Sequence, residues 1–259
     1  MRGALVVLGG CASGSELPRQ GRVVPTSRVE MLSKGAEAFV ELPPLSCGAI
    51  FGAVAIAVDE TRSVSGQVLL LGGHCQEATS SVRLVDLATG VSTPQAYLLH
   101  VRSNFAAARL PDEGFICAGG IGGTTAEMWE QPVRDALGAA WTGRELPAMS
   151  LGRDGCSGCM LSDGRFAVLG GYSYGVYTSS CEALPLGGDR HWSPLPPMHD
   201  TRSIFACAAV AGCIIVAGGG GSLPRKSAEV YDEVLGRWLR LPHDLPRDGE
   251  MRVMGSTFL

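Results

Sequence analysis

The residues best suited to chemistry are few and scattered. Cys156-Ser-Gly-Cys159 has the spacing of a redox or metal-binding pair. No second pair stands at zinc-ligand spacing, and residues three apart on an extended strand point to opposite faces. The five histidines, His74, His100, His191, His199 and His243, are spread along the chain. A copper centre would need several of them, with tyrosines, to converge on one ion; His74 and the segment Tyr172-Ser-Tyr-Gly-Val-Tyr177 are the combination that would have to do so. No phosphate-binding loop and no His-Glu-x-x-His is present. Asp59-Glu60 and Asp112-Glu113 are read as solvated carboxylates at hairpin turns. These residues assemble no catalytic set, no metal site and no cofactor site, so the expectation is a protein that is not an enzyme.

Two other groups suit recognition. Tyr172, Tyr174 and Tyr177 lie within six residues, and tyrosine joins an apolar ring to a polar tip, a combination favoured at interfaces. Arg102, Arg153 and Arg202 recur at even spacing, with Arg247 or Arg252 as a fourth. A ring of guanidinium groups at a channel mouth would hold carboxylates through paired hydrogen bonds. The opposite reading is that each arginine bonds loop carbonyls or a neighbouring repeat, and periodic recurrence favours it, because scaffold residues must repeat and ligand residues need not. The expected partner-binding set is Arg102, Arg153, Arg202, His74, Tyr172, Tyr174 and Tyr177.

The elements that would carry these residues show as a repeat. An apolar run ends in Gly-Gly five times, at Gly9, Gly72, Gly119, Gly170 and Gly218, at intervals of 63, 47, 51 and 48 residues. Phe115-Ile-Cys-Ala, Phe166-Ala-Val-Leu and Cys213-Ile-Ile-Val-Ala occupy the same place before their doublets, each after a turn signal. Past the doublet come a polar loop, a short run such as Ala228–Tyr231, a tryptophan (Trp141, Trp192, Trp238) and a Leu-Pro element (Leu146-Pro147, Leu195-Pro196, Leu241-Pro242).

A period near fifty with these features resembles the kelch repeat. The features that carry the resemblance are the apolar run into Gly-Gly, the Glu-Val-Tyr-Asp of Glu229–Asp232 and the later tryptophan. The first two repeats depart from it: they lack the tryptophan, Phe39 stands near its place in the first, and Val85-Asp86 replaces tyrosine-aspartate in the second. The resemblance implies an all-β, kelch-type β-propeller of four-stranded antiparallel blades, whose faces are buried by stacking on neighbours. Repeats fall at roughly 1–42, 43–90, 91–142, 143–193 and 194–242, with a closing strand at 252–259. Gly3–Leu8 would be a second strand without its first, and Arg252–Leu259 a first strand without its second. Pairing them gives five blades, four continuous and one built from both ends. The alternative is a fragment of a larger propeller, since six or seven blades are commoner.

On such a scaffold the loops after the second and fourth strands share a face. It collects Cys11–Ser27, His74 and the tyrosine segment, and loops carry binding residues. The expected function is recognition of another protein, or of an acidic peptide, around the central channel. A role as the substrate-recognition part of a ubiquitin ligase is implied by family analogy alone. The other readings are a sugar epimerase or copper-dependent enzyme on a kelch scaffold, and a truncated repeat array.

Composition narrows the partners. The net charge is −4 without a basic cluster, which argues against nucleic acid. The chain is too large to need a disulfide framework, and most of its nine cysteines (Cys117, Cys156, Cys159, Cys207 and Cys213 among them) lie in apolar runs, where a free cysteine acts as a small hydrophobe. A reducing, cytoplasmic setting and a monomer are expected. Leu8-Gly-Gly-Cys11 loosely resembles a lipoprotein cleavage site, but the apolar stretch before it is shorter than a signal peptide needs. Ile204–Gly221 carries no charge, yet Ala211-Gly212 divides it into two strand-sized halves. It is read as a buried hairpin rather than a membrane span.

Overall fold

The computed structural model describes residues 5–8, 26–32, 35–58, 66–74, 77, 79–111, 114–121, 123–131, 140–220, 226–242 and 256–258. Gly9, most of Cys11–Ser27, Asp59-Glu60, Asp112-Glu113, His243, Arg247 and Arg252 lie outside them. Every regular element among the described residues is a β-strand. The chain divides into two compact units, Met1–Ser103 with Met254–Leu259, and Asn104–Val253.

The first unit holds two four-stranded antiparallel sheets. In one, β1 (Leu5–Leu8) lies between β22 (Ser256–Phe258) and β2 (Val29–Leu32), with β3 (Val40–Leu42) outermost. Leu5 stands opposite Phe258 and Val7 opposite Ser256, so both ends of the chain share one sheet. The other runs β4 (Val54–Ala57), β5 (Gln67–Leu71), β6 (Ser81–Asp86), β7 (Ser92–Tyr97).

The second unit holds three sheets of the same order. They are β8 (Ala106–Arg109) to β11 (Thr142–Leu146), through β9 (Phe115–Ala118) and β10 (Ala126–Glu130); β12 (Ser157–Met160), β13 (Arg165–Leu169), β16 (Cys181–Pro185) and β17 (Ser193–Leu195); and β18 (Ala206–Val210), β19 (Cys213–Ala217), β20 (Ala228–Asp232) and β21 (Arg237–Arg240). Between β13 and β16 the chain forms an extra two-stranded hairpin, β14 (Tyr172–Ser173) with β15 (Val176–Tyr177).

Burial decides which strands the sequence announces. The second strands β5, β9 and β13 are covered on both faces: in β9, Phe115, Ile116, Cys117 and Ala118 are all inaccessible. They therefore read as continuous apolar runs. Fourth strands are outermost and mostly exposed, as in β7 (Ser-Thr-Pro-Gln-Ala-Tyr), whose Pro94 suits an edge. Weak signal there explains why the sequence boundaries 142/143 and 193/194 cut through β11 and β17, and why 90/91 leaves β7 outside its own repeat. The hairpin of Ile204–Gly221 exists as β18 and β19, turned by Ala211 and Gly212 with positive φ. It is buried on one face only: Ile214 and Val216 are inaccessible, while Val210 and Ile215 are exposed. No helix among the described residues is long and apolar enough to cross a membrane.

The tryptophan and the Leu-Pro element recur together because they bond to each other. Trp192 Nε1–H donates to the carbonyl of Pro147 (2.8 Å) and Trp238 Nε1–H to that of Pro196 (2.9 Å). Each bond fastens one sheet to the end of the preceding one. Trp238 also packs in the core with Tyr231, Leu195, Met198 and Phe205. Phe39 supplies no equivalent in the first repeat, being 46% exposed. Trp238→Ala should destabilise the protein by about 3–5 kcal/mol through lost packing. Trp238→Leu, which keeps an apolar body without the donor, should cost clearly less; chemical denaturation of both variants measures the difference.

Candidate functional site

The periodic arginines stand in the loop before each first strand, four residues ahead of β8, β12 and β18. Arg252 keeps the same distance from β22, whereas Arg247 does not. The side chains of Arg102, Arg153 and Arg202 are fully buried. In Arg153, Nε donates to Glu182 (3.0 Å), Nη1 to the carbonyls of Gly170 and Ser180 (2.8 Å each) and Nη2 to Ser180 Oγ (2.9 Å), and Nη2 also pairs its charge with Glu182 (3.0 Å). Arg202 repeats the set with Glu229, Gly218 and Ser227. A guanidinium has five N–H donors; Arg202 commits all five inside the protein, and Arg153 makes four hydrogen bonds and an ion pair there. The expectation that they receive an acidic peptide is therefore corrected: Arg153 and Arg202 hold their own sheets together and have no donor left for a ligand. Arg102 sits at the matching place with its side chain equally buried, so it is not a surface residue either.

The glycine doublets belong to the same device. The Gly170 carbonyl accepts from Arg153, and the Gly171 N–H donates to the Arg202 carbonyl of the next repeat (2.7 Å). At Gly170, with φ +60°, an added Cβ would stand 2.6 Å from the Arg202 carbonyl oxygen, so no other residue fits.

The sheet of β4–β7 solves the same problem without charge. Each arginine lies two residues before a residue with positive φ, namely Asn104, Gly155 or Ile204, and each glutamate is the second residue of a third strand. At the matching places that sheet has Ile50, two before Gly52, and Val82, both buried. Arg202→Ile alone should cost about 3–5 kcal/mol, because Glu229 would remain buried without its counter-charge. The double variant R202I/E229V copies the natural Ile50/Val82 pair and should recover at least half of that loss; equal unfolding midpoints for single and double variants would refute this.

Glu229 makes a pH prediction. Burial pushes its carboxyl up, but the His199 N–H and ring (2.7 and 2.8 Å), Arg202 and the Asp200 N–H outweigh it and hold the group below its ordinary 4.5. The folded state thus binds this proton less readily than the unfolded chain. The stability it contributes is present above about pH 4.5 and is lost as the pH falls through the lower folded value. Replacing Glu229 with Gln should flatten the acid limb of a stability–pH curve.

With the arginines internal, the tyrosine hairpin is an exposed feature of the second unit's loop face. Tyr172 and Tyr177 pair across it with rings 5.0 Å apart, edge to face. Tyr174 and Gly175 form its two-residue turn with φ of 45° and 87°, the type I′ geometry that usually takes Asn-Gly. A tyrosine held at positive φ is uncommon. It projects Tyr174 outward, 91% exposed, beside Val176. The hairpin is fixed at its base by paired bonds between Tyr172 and Asp154 (2.6 and 2.9 Å) and by Thr178 N–H to the Gly171 carbonyl. These bonds put the β13–β16 loop and the loop before β12 on one face, as strand alternation predicts. Burial raises the Asp154 carboxyl, against the opposing pull of the Asn104 side chain and the Gly155 N–H. Among the described residues, Asp154 Oδ1, Asn104 Oδ1 and Thr201 Oγ1, in the loops before β12, β8 and β18, are buried and unpartnered.

The other sequence candidates are placed as follows. His74 belongs to the first unit, stacks on Phe51 at 4.9 Å and has a buried Nδ1 without a partner. Cys156 and Cys159 do not act as a pair: the Cys156 thiol is buried near the Arg153 carbonyl and pushed up to about 11, chiefly by burial. No three His, Cys, Asp or Glu side chains among the described residues group as a metal site would. Reading the sequence for motifs misses one pattern here. Gly171-Tyr-Ser-Tyr-Gly175 spells Gly-x-Ser-x-Gly, but Ser173 lies on a short strand of the hairpin, not on the strand-to-helix turn that exposes a nucleophilic serine.

No family model matches the chain. Over 72 residues it is 41% identical to an F-box/kelch-repeat protein of Arabidopsis thaliana, a stretch that makes up 27% of this chain and 18% of that protein's length. Its structure is similar to that of YjhT, with a TM-score of 0.71 over 92% of this chain and 81% of the other, at 12% identity. The fold is thus all-β and kelch-like, of the propeller type, built from four-stranded antiparallel sheets.

Proposed function

We propose that this protein is a binding module for another protein, and that the hairpin Tyr172–Tyr177 is its anchor. The observation that carries the reading is Tyr174, held at positive φ on a rigid two-residue turn and almost wholly exposed. An unstrained fold would place Asn or Gly there, and strain kept at an exposed tip points to use. The likeness to an F-box/kelch-repeat protein supports the same reading. Its finer form, substrate recognition for a ubiquitin ligase, is drawn from analogy with the kelch family, and the cytoplasmic setting from cysteines that lie in apolar runs. The partner supplies an apolar pocket with a hydrogen-bonding group at its base, because the tyrosines offer rings and hydroxyls rather than charge.

Tyr174→Asn separates function from folding. It suits the I′ turn, so stability should stay level or rise by about 0.5–1 kcal/mol, whereas affinity for the partner should fall tenfold or more. A photo-crosslinking amino acid at position 174 should capture the partner, and one at exposed position 144 on β11 should not. Capture at both positions alike, or full affinity in Tyr174→Asn, would overturn the proposal.

A further inference from the structure

The first strands β12 and β18 lie side by side in the second unit. Ile204 N–H donates to the Gly155 carbonyl (2.7 Å), and Ser157 Oγ–H to the Phe205 carbonyl (3.1 Å). These bonds set the register between neighbouring sheets and turn the Ser157 side chain toward β18. Side chains two apart on a strand share a face, so Cys159, two beyond Ser157, also faces β18. Two residues beyond Phe205 stands Cys207, which packs against the same core cluster as Cys159. Both are free thiols; Cys159 is 8% exposed and Cys207 is partly accessible. The Cys207 side chain hydrogen-bonded to Cys159, then burial, then the nearby Glu233, push the Cys159 thiol well up. The pleat that separates Cys159 from Cys156 therefore gives it a different partner, 48 positions away in the chain.

We propose that Cys159 and Cys207 are a dithiol–disulfide pair, a reversible oxidation site that joins two neighbouring sheets. The oxidant is a low-molecular-weight disulfide such as oxidised glutathione. The accessible Cys207, as thiolate, attacks one sulfur of that disulfide; a mixed disulfide forms and one glutathione thiol leaves with the proton Cys207 gave up. Cys159, deprotonated in turn, attacks the Cys207 sulfur, and the second glutathione thiol leaves. Two protein thiols are oxidised and one small disulfide is reduced to two thiols. The thiolate is the attacking form, and the raised Cys159 makes the closing step the slower one.

The test uses the native full chain treated with oxidised glutathione, then acid-quenched, alkylated and mapped by fragmentation of linked peptides. Fragmentation is needed because Cys156 shares the tryptic peptide of Cys159, and Cys213 that of Cys207. The expected result is loss of two free thiols, a Cys159–Cys207 link reversed by dithiothreitol, and a thermal midpoint raised by a few degrees. In C159S, Cys207 should retain a stable glutathione adduct; in C207S, Cys159 should stay unmodified. The proposal is overturned if the wild-type protein ends with both thiols free, with a lasting adduct on Cys207, or with Cys159 joined to Cys156. Because the wild-type map alone decides between these results, a variant that fails to fold leaves the conclusion standing on it.

Discussion

A guanidinium carried into a protein interior must find acceptors for five N–H groups and a partner for its charge, and Arg153 and Arg202 show how much sequence that demand dictates. A glutamate must be the second residue of the third strand, a serine must precede it closely, and a glycine carbonyl must turn inward at the end of the second strand. The spacing of arginine, doublet and glutamate follows from one buried network. Buried ion pairs give little net stability against well-packed apolar residues, and Ile50 with Val82 shows that the scaffold accepts the apolar solution. What the charged version adds is direction: five donors can be satisfied in one arrangement of loop and strand, whereas an isoleucine tolerates several.

Legibility in the sequence followed burial. The second strands β5, β9 and β13, covered on both faces, were readable as apolar runs, and the doublets marked their ends. Fourth strands were not, because an outermost strand such as β7 has a single mostly covered position, Ser92, at its start. The arginines were readable as periodic, and periodicity already leaned toward scaffold bonds over a ring of ligand contacts, without showing which groups they bond. Side-chain burial and the donors filled by internal acceptors decide between the two. The tyrosine segment was visible as composition, while the feature that gives it meaning, positive φ at Tyr174, leaves no mark in a one-letter string beyond the glycine that follows.

The loop face of the second unit combines rigidity with exposure. Asn104, Gly155 and Ile204 all take positive φ, and their backbones are joined in series, Gly155 N–H to the Asn104 carbonyl and Ile204 N–H to the Gly155 carbonyl (2.7 Å each). Asp154, held within this series, supplies the two bonds at the base of the hairpin. If the hairpin binds as proposed, an element mounted in this way loses little conformational entropy on binding, which is where preorganised surfaces gain affinity.

The direction of the two kinds of inter-element bond also bears on how such a chain can be lengthened or shortened. Arginine bonds stay inside one repeat, from Arg153 to Ser180 and Glu182. The indole bonds reach back, from Trp192 to Pro147 and from Trp238 to Pro196. A segment cut just before an arginine and just after the following Leu-Pro carries its charge network whole, together with one plug and one socket for its neighbours. Cuts at the glycine doublets, where the repeat is most conspicuous to the eye, would split every network in two. Gene duplication or grafting in this architecture is therefore expected to succeed in units whose boundaries lie in the least conspicuous part of the sequence.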